Sequence, residues 1–340
     1  MPSSHRAPKL ATRRVGSAAA IVGVAAGSVF LMQGSAHAET TAQALADYKQ
    51  KNAEAEAATE QYDSASAQVA QLQQKINALQ GQISTANQKM VSLESAMGRQ
   101  AAQQYRESGL SDSLKAVLDD SPDSYLNAAL AGNQVTTQEA QQLKELAEAK
   151  TQIAEDNKLA QSALTQQQQV TAQRQAAKTK ALQSAAQAKS LYGSLNASQQ
   201  AAIEKANAGV SASSVNLTQA APDARAAAAV AYAKSKLGDE YVYAAAGPST
   251  FDCSGLTMMA WEQAGVSLPH NAAEQYATTT HISASQLEPG DLVYYDYGEG
   301  ITHVAIYVGN GIVIHAPHTG TVVQYGDLYN VGPVAGFSRP

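Results

Sequence analysis

Val69, Leu72, Ile76, Leu79, Ile83, Ala86, Met90, Leu93 and Met97 recur at alternating steps of three and four residues, separated by Gln, Lys, Ser and Asn. Sustained over four heptads, this apolar seam predicts a coiled coil. Around it, from about Thr40 to Asn207, the chain is rich in Ala, Gln, Glu, Lys and Ser, poor in aromatics, and carries one proline, Pro122. Such a composition favours long helices over a compact core. The pattern breaks near Ser108 and again around Pro122, which places the tip of a helical hairpin there, with short helices covering Leu110, Leu114, Val117, Leu118, Tyr125, Leu126 and Leu130. A return helix is predicted over 136–206. Its seam is weaker (Leu143, Leu146, Ile153, Ala160, Leu164), with Lys150 and Asn157 at seam positions. Each arm would be on the order of 100 Å long. A solvated spacer and a binding role are both open for this hairpin. The partner in a binding role stays open between the catalytic domain, a second copy and a membrane or division-complex protein.

After Asn207 the pattern changes. Residues 208–221 have the Ser, Ala and Gly content of a flexible linker. Residues 222–340 are richer in Tyr, Gly, Val and Ile and suffice for one small domain with its own core. The predicted order is α+β: a helix over 223–237, a loop carrying Tyr241 and Tyr243, a helix over 253–264 capped by Asp252, and a short helix beginning near Asn271. Strands over 290–296, 303–308, 312–316 and 321–325 follow. A three-residue loop of Gly309, Asn310 and Gly311, with Gly311 left-handed in a bulge, would pair Val308 with Ile312 and Ala305 with His315. His303 and His315 then share one face of the sheet, and Val304, Ile306, Ile312 and Ile314 the other.

The N-terminus sets the compartment. Arg6, Lys9, Arg13 and Arg14 precede an apolar stretch from Val15 to Leu31, and Ala36, His37 and Ala38 follow. Residues 1–38 read as a signal peptide, so a secreted, wall-associated protein is expected. Losing that segment removes four positive charges and no negative ones, taking the formal net charge from -6 to -10. An acidic chain argues against nucleic acid as a partner.

An exported chain with one cysteine, Cys253, cannot close an internal disulfide, so the thiol needs a packing or a chemical reason. Cys253 stands at the first turn of its predicted helix, where the dipole and free N–H groups favour a thiolate and an oxyanion. His303 and His315 supply base and orienter for a thiolate nucleophile. One Cys and two His also make three zinc ligands. No fourth stands at metal-like spacing, and no metal or other cofactor is assigned. His270, His281 and His318 read as surface or loop residues.

The runs Phe251 to Leu256, Ala264 to His270, Leu287 to Val293, His303 to Gly311 and Ile314 to Pro317, in this order, resemble the NlpC/p60 family of cell-wall peptidases over nearly all of 222–340. The resemblance implies a papain-like fold and hydrolysis of the γ-D-glutamyl bond to a diamino acid in peptidoglycan stem peptides. It makes Cys253 the nucleophile, His303 the general base and acid, His315 its orienter and Tyr241 the residue beside the oxyanion. Asp252, Ser254 and His270 match positions that hold the peptide's amino end and D-glutamate. Where the family usually has Trp-Gly-Gly, this chain has Tyr243, Ala244 and Ala245, and alanine enters glycine's backbone region only at a cost. A non-catalytic wall or division adaptor, and a related amidase or crossbridge peptidase, remain the alternatives. Because an unchecked wall hydrolase is hazardous, the hairpin is also a candidate to fold back over the cleft.

Overall fold

In the computed structural model, which describes residues 40–108 and 137–340, α1 (Thr41–Ser108) and α2 (Thr137–Ser194) run alongside each other as a helical pair. The expected signal peptide and hairpin tip lie outside the described residues. Among the described residues no helix is long and apolar enough to cross a membrane. Every predicted seam position of α1 from Val69 to Met97 is buried or half-buried, and Met97 packs with Leu143 and Leu146. On α2 the seam differs from the expected one. Ala149, Asp156 and Ala163 are buried, whereas Lys150, Asn157 and Leu164 face solvent. Small side chains let the two helices approach closely, which is why the apolar signal on this arm is weak.

The return helix also stops earlier than predicted. Asn196 caps a separate helix, α3 (Ala197–Asn207), by accepting from Ser198 N and Gln199 N, while the Gln199 side chain accepts from Asn196 N. This reciprocal capping box ends one helix and starts another. Ile203 of α3 then packs on Tyr48 and Ala188 and closes the base of the pair.

The segment 208–221, expected as a linker, lies on the sheet domain. Val210 N donates to Tyr325 O, Asn310 Nδ2 donates to Asn216 O, and Leu217 and Ala221 pack on the core.

The sheet domain begins with α4 (Ala224–Ser235), capped by Asp223, and the two-residue strands β1 (Glu240–Tyr241) and β2 (Thr250–Phe251). Next come α5 (Cys253–Glu262), α6 (Ala272–Thr278), β3 (Thr280–Ile282), β4 (Leu292–Asp296), β5 (Ile301–Gly309), β6 (Ile312–His315), β7 (Gln324–Asp327) and β8 (Val334–Arg339). Strands β3 to β8 form an antiparallel sheet in the order β3, β8, β4, β5, β6, β7. One face carries Leu292, Tyr294, Val304, Ile306, Val308 and Ile314 against α4 and α5; the other gathers Val293, Tyr295, Ala305, Tyr307, Val313 and Leu328.

Besides the short β1, β2 and β3, which were not expected, two strands depart from expectation. Residues 321–323 pair with the β1 region, Tyr241 N donating to Thr321 O and Gly238 N to Val323 O, and only from Gln324 does the chain join β6. Strand β8 was not expected because Gly336 and Ser338 interrupt its apolar alternation. The glycine is required there, since a Cβ would stand 2.6 Å from the Tyr276 hydroxyl.

Candidate active site

The β5–β6 hairpin decides whether the two histidines can meet. The observed turn is Asn310 and Gly311, both at positive φ, with a bulge between Tyr307 and Gly309 on β5. Gly309 pairs with Ile312, so the bulge sits before the turn and not at Gly311 as predicted. A two-residue turn alone would put the histidines on opposite faces; the extra residue restores the shared face. His303 Nε2 lies 3.0 Å from His315 Nδ1, and both rings are buried.

Cys253 opens α5, and its cap holds as predicted: the Asp252 side chain accepts from Gly255 N at 2.7 Å. The sulfur, a ring nitrogen of His303 and a carboxylate oxygen of Glu56 lie within 4.8 Å of one another. Tyr241 is buried in the same core cluster as Cys253, and burial, then Cys253, pushes its hydroxyl well above its ordinary value. The expected thiol, base, orienter and tyrosine therefore come together. Asp252 and His270 form a second group, His270 Nε2 standing 2.9 and 3.0 Å from the two Asp252 oxygens. His318, expected at the surface, is partly buried against Tyr48 and Asn207.

The cleft is occupied by α1. Glu56, Glu60 and Asp63 project from one helix face into it. Glu56 Oε1 lies 3.0 Å from His303 Nδ1. Glu60 Oε1 accepts from Ser254 Oγ at 2.8 Å and lies 3.5 Å from Cys253 Sγ, while its other oxygen accepts from Ala272 N. Asn271 Nδ2 donates to Glu60 O at 2.9 Å, and Asp63 Oδ2 is 3.8 Å from His270 Nε2. Tyr62 and Tyr243 pack with ring centroids 5.1 Å apart. Beside the histidines the cleft still opens into a cavity of ≈ 570 Å³, lined among others by Asn52, Glu56, Lys205, His303 and His315.

Charge is distorted throughout. Burial, followed by Glu60, Glu56 and Asp252, pushes the Cys253 thiol well above its ordinary value. Helix-start placement was expected to favour the thiolate; with α1 seated, desolvation and three carboxylates override it. Burial, then Asp252, raises Glu60 to about 7. His270 is desolvated, yet the carboxylates of Asp252, Asp63 and Glu60 outweigh that and hold it up at about 9. Burial and neighbouring His303 keep His315 low, so it stays neutral as an orienter must.

The domain that carries this arrangement matches the NlpC/P60 family over residues 238–335. Those residues are an NlpC/P60 domain. A Listeria innocua protein named probable endopeptidase p60 is 50% identical over 105 residues, covering 31% of this chain and 22% of the relative. The bifunctional muramidase/DL-endopeptidase CwlT of Bacillus subtilis is 42% identical over 95 residues, 27% of this chain and 28% of that one. The chain thus spans about a fifth to a quarter of the length of these two relatives. The crystal structure of the NlpC/p60 domain of peptidoglycan hydrolase SagA is 35% identical and covers 34% of this chain and 98% of that one, with a TM-score of 0.31.

Glu56, Glu60 and Asp63 were missed from sequence, although a signal was present. Like charges at i, i+4 and i+7 repel along a helix, and here Ala53, Ala55, Ala57, Ala58 and Ala65 stand around them. A solvated face has no need of such a stripe; a helix seated in a cleft that offers imidazoles and N–H groups does.

Proposed function

We propose that the protein is a secreted peptidoglycan hydrolase that cleaves the γ-D-glutamyl bond to the diamino acid of stem peptides, and that its own α1 holds it closed until the hairpin is displaced. In this reading residues 1–38 direct export, 39–207 form a coiled-coil hairpin, and 222–340 form the catalytic domain behind the strap at 208–221. The observation that carries it is the alignment of Cys253, His303 and His315, with His303 held 3.0 Å from its orienter. The names of the relatives, endopeptidase and DL-endopeptidase, support the choice of bond.

Once α1 leaves, the thiol loses the adjacent carboxylates of Glu56 and Glu60 and regains solvent, and His303 takes its proton. The thiolate attacks the γ-glutamyl carbonyl, and the Cys253 N–H and the Tyr241 hydroxyl donate to the oxyanion. Imidazolium His303 protonates the departing amine, and the C–N bond breaks to leave a thioester. Water, deprotonated by His303, attacks the thioester and releases the glutamyl carboxylate and the thiol. Asp252, Ser254 and His270 hold the amino end and the D-glutamate of the peptide. Ser254, Asp252 and His270 are the groups that Glu60 and Asp63 approach in the closed form, so hairpin and substrate compete for one surface.

The test is digestion of defined stem peptides followed by mass analysis, with Cys253→Ala as control. Fragments ending in γ-D-glutamate are expected from the parent and none from the variant. Cleavage at the sugar–peptide junction or in a crossbridge would replace the bond assignment, and equal cleavage by the variant would remove the nucleophile.

A further inference from the structure

Glu56 Oε1 and His303 Nδ1 are buried and 3.0 Å apart, yet neither atom has a hydrogen-bond partner; the two are out of line for one. The Cys253 sulfur lies within 4.8 Å of a carboxylate oxygen of Glu56 and a ring nitrogen of His303. Two unsatisfied buried polar atoms in contact are costly unless a third group sits between them. A sulfur, an imidazole nitrogen and a carboxylate oxygen converging on one point form the donor set that zinc prefers. His303 is already oriented for such a role, because its other nitrogen is held by His315, the outer partner that a metal-bound imidazole normally has. The cavity lined by Glu56 and His303 gives an ion a path in and a water for a fourth position.

We propose that the closed form binds one zinc ion between Glu56 Oε1, Cys253 Sγ and His303 Nδ1, and that this ion pins α1 on the cleft. The proposal rests on the closed form being the resting state. Coordination releases the thiol proton to solvent and leaves His303 protonated only on Nε2, which donates to His315. Because one ligand comes from the helical pair and two from the sheet domain, the ion binds the closed form far better than an open one, and by linkage it stabilises closure. The catalytic thiol and imidazole are masked by the same contact, so removal of the ion would be one step of activation.

Purified full-length protein, stripped with a chelator, is titrated with Zn²⁺ in a calorimeter and with Co²⁺ in a spectrophotometer. One ion per chain is expected, with a thiolate-to-cobalt charge-transfer band that Cys253→Ala lacks and intense visible bands of a four-coordinate site. Glu56→Gln keeps the side-chain shape and should weaken zinc at least roughly tenfold, since loss of even an outer partner costs about that much. Glu60→Gln keeps all three ligands and an oxygen that can still accept from Ser254 or Ala272 N, so it should bind zinc far more tightly than Glu56→Gln. Absence of the thiolate band, or equal zinc affinity in the Glu56 and Glu60 variants, would overturn the site. Closure is read separately, by the rate at which iodoacetamide alkylates Cys253 in metal-free protein. Slow alkylation without zinc binding removes the ion and leaves the closed form standing; fast alkylation that added zinc does not slow removes the closed form itself.

Discussion

The two ends of α1 use the same kinds of residue for opposite purposes. From Val69 to Met97 the helix buries one stripe against α2 and leaves its other faces in water. From Ala44 to Ala65 it is buried on several sides, and the buried residues there include Asn52, Glu56, Thr59, Glu60 and Asp63. Burying apolar seam residues stabilises the pair directly, whereas burying three carboxylates costs several kcal/mol unless each meets a partner. The far end is therefore held by packing and the near end by specific contacts to Ser254, Ala272, Asn271 and the histidines. Packing is hard to undo. A contact made of charges and protons can be reversed, as a removable cover requires.

Glu60 is the place to break this comparison most severely. Its carboxylate meets Ser254, Cys253 and Ala272 N, and charged hydrogen bonds are each worth roughly 1.5–3 kcal/mol. Glu60→Ala should weaken closure by about 4 kcal/mol, so alkylation of Cys253 at fixed pH is expected to rise on the order of a thousandfold. An unchanged rate would mean that the near end is held by packing like the far end.

Proton supply is the next lever. Glu60 faces Asp252, Cys253 and Ser254 at the start of α5, His270 and the N-terminus of α6, and Glu56 and Asp63 on its own helix. Closure raises it from 4.5 to about 7. A raised carboxyl contributes to closure in full below 4.5, and the contribution is lost as pH climbs through about 7. The upper limit is about 3 kcal/mol. Spin labels at Gln61 and Ser285, in a Cys253→Ala background, should report a longer mean distance at pH 8 than at pH 5. Glu60→Gln should flatten that dependence, and an equal slope in the variant would assign the effect elsewhere.

How much of this was legible follows the same division. Seam spacing, the Asp252 cap and the shared face of His303 and His315 came from local pattern, because apolar period, capping and strand alternation are local rules. The bulge was misplaced by about two residues, since two turn chemistries satisfied one pattern, and the break at Asn196 inside the helix predicted over 136–206 was missed, because its Ala- and Gln-rich flanks read as helix on both sides. Leu164 was assigned to a seam that runs through Ala163 and Asp156, because small and polar residues leave no hydrophobic signal. The seating of Glu56, Glu60 and Asp63 depends on contacts spanning about two hundred residues, such as Ser254 to Glu60. The stripe was visible, but its partner was not. Strand β8 is similar, its Gly336 making sense only beside Tyr276.

Leu143→Ala sharpens the comparison from the other side. Leu143 is 1% exposed against Met97 and Leu146, so truncation should cost about 2–3 kcal/mol and lower the melting temperature of the helical pair. Alkylation of Cys253 should stay within about twofold of the parent, because packing changes at distant, independent sites add without coupling. A large gain in reactivity would show that the far end transmits to the cleft.

The smallest effect is expected at Ala244, where the cleft wall itself carries strain. Ala244 has φ +53, the left-handed region, and it sits between Tyr243, which packs on Tyr62, and Ala245, whose carbonyl accepts from Asp252 N at 2.8 Å. A residue with a Cβ loses about 1–2 kcal/mol there relative to glycine. Glycine in turn has more freedom to lose from the unfolded chain, about 0.4–1 kcal/mol. Ala244→Gly should therefore stabilise the sheet domain by about 0.5–1 kcal/mol, read from its denaturant midpoint, because the strain relieved exceeds the added entropy. Cys253 alkylation should not change, since Glu60 and Asp63 do not contact this residue's side chain through any of their hydrogen bonds. A loss of stability would mean that the alanine methyl is packed against something worth more than the strain, and that this wall of the cleft is shaped by side-chain contact and not by backbone freedom.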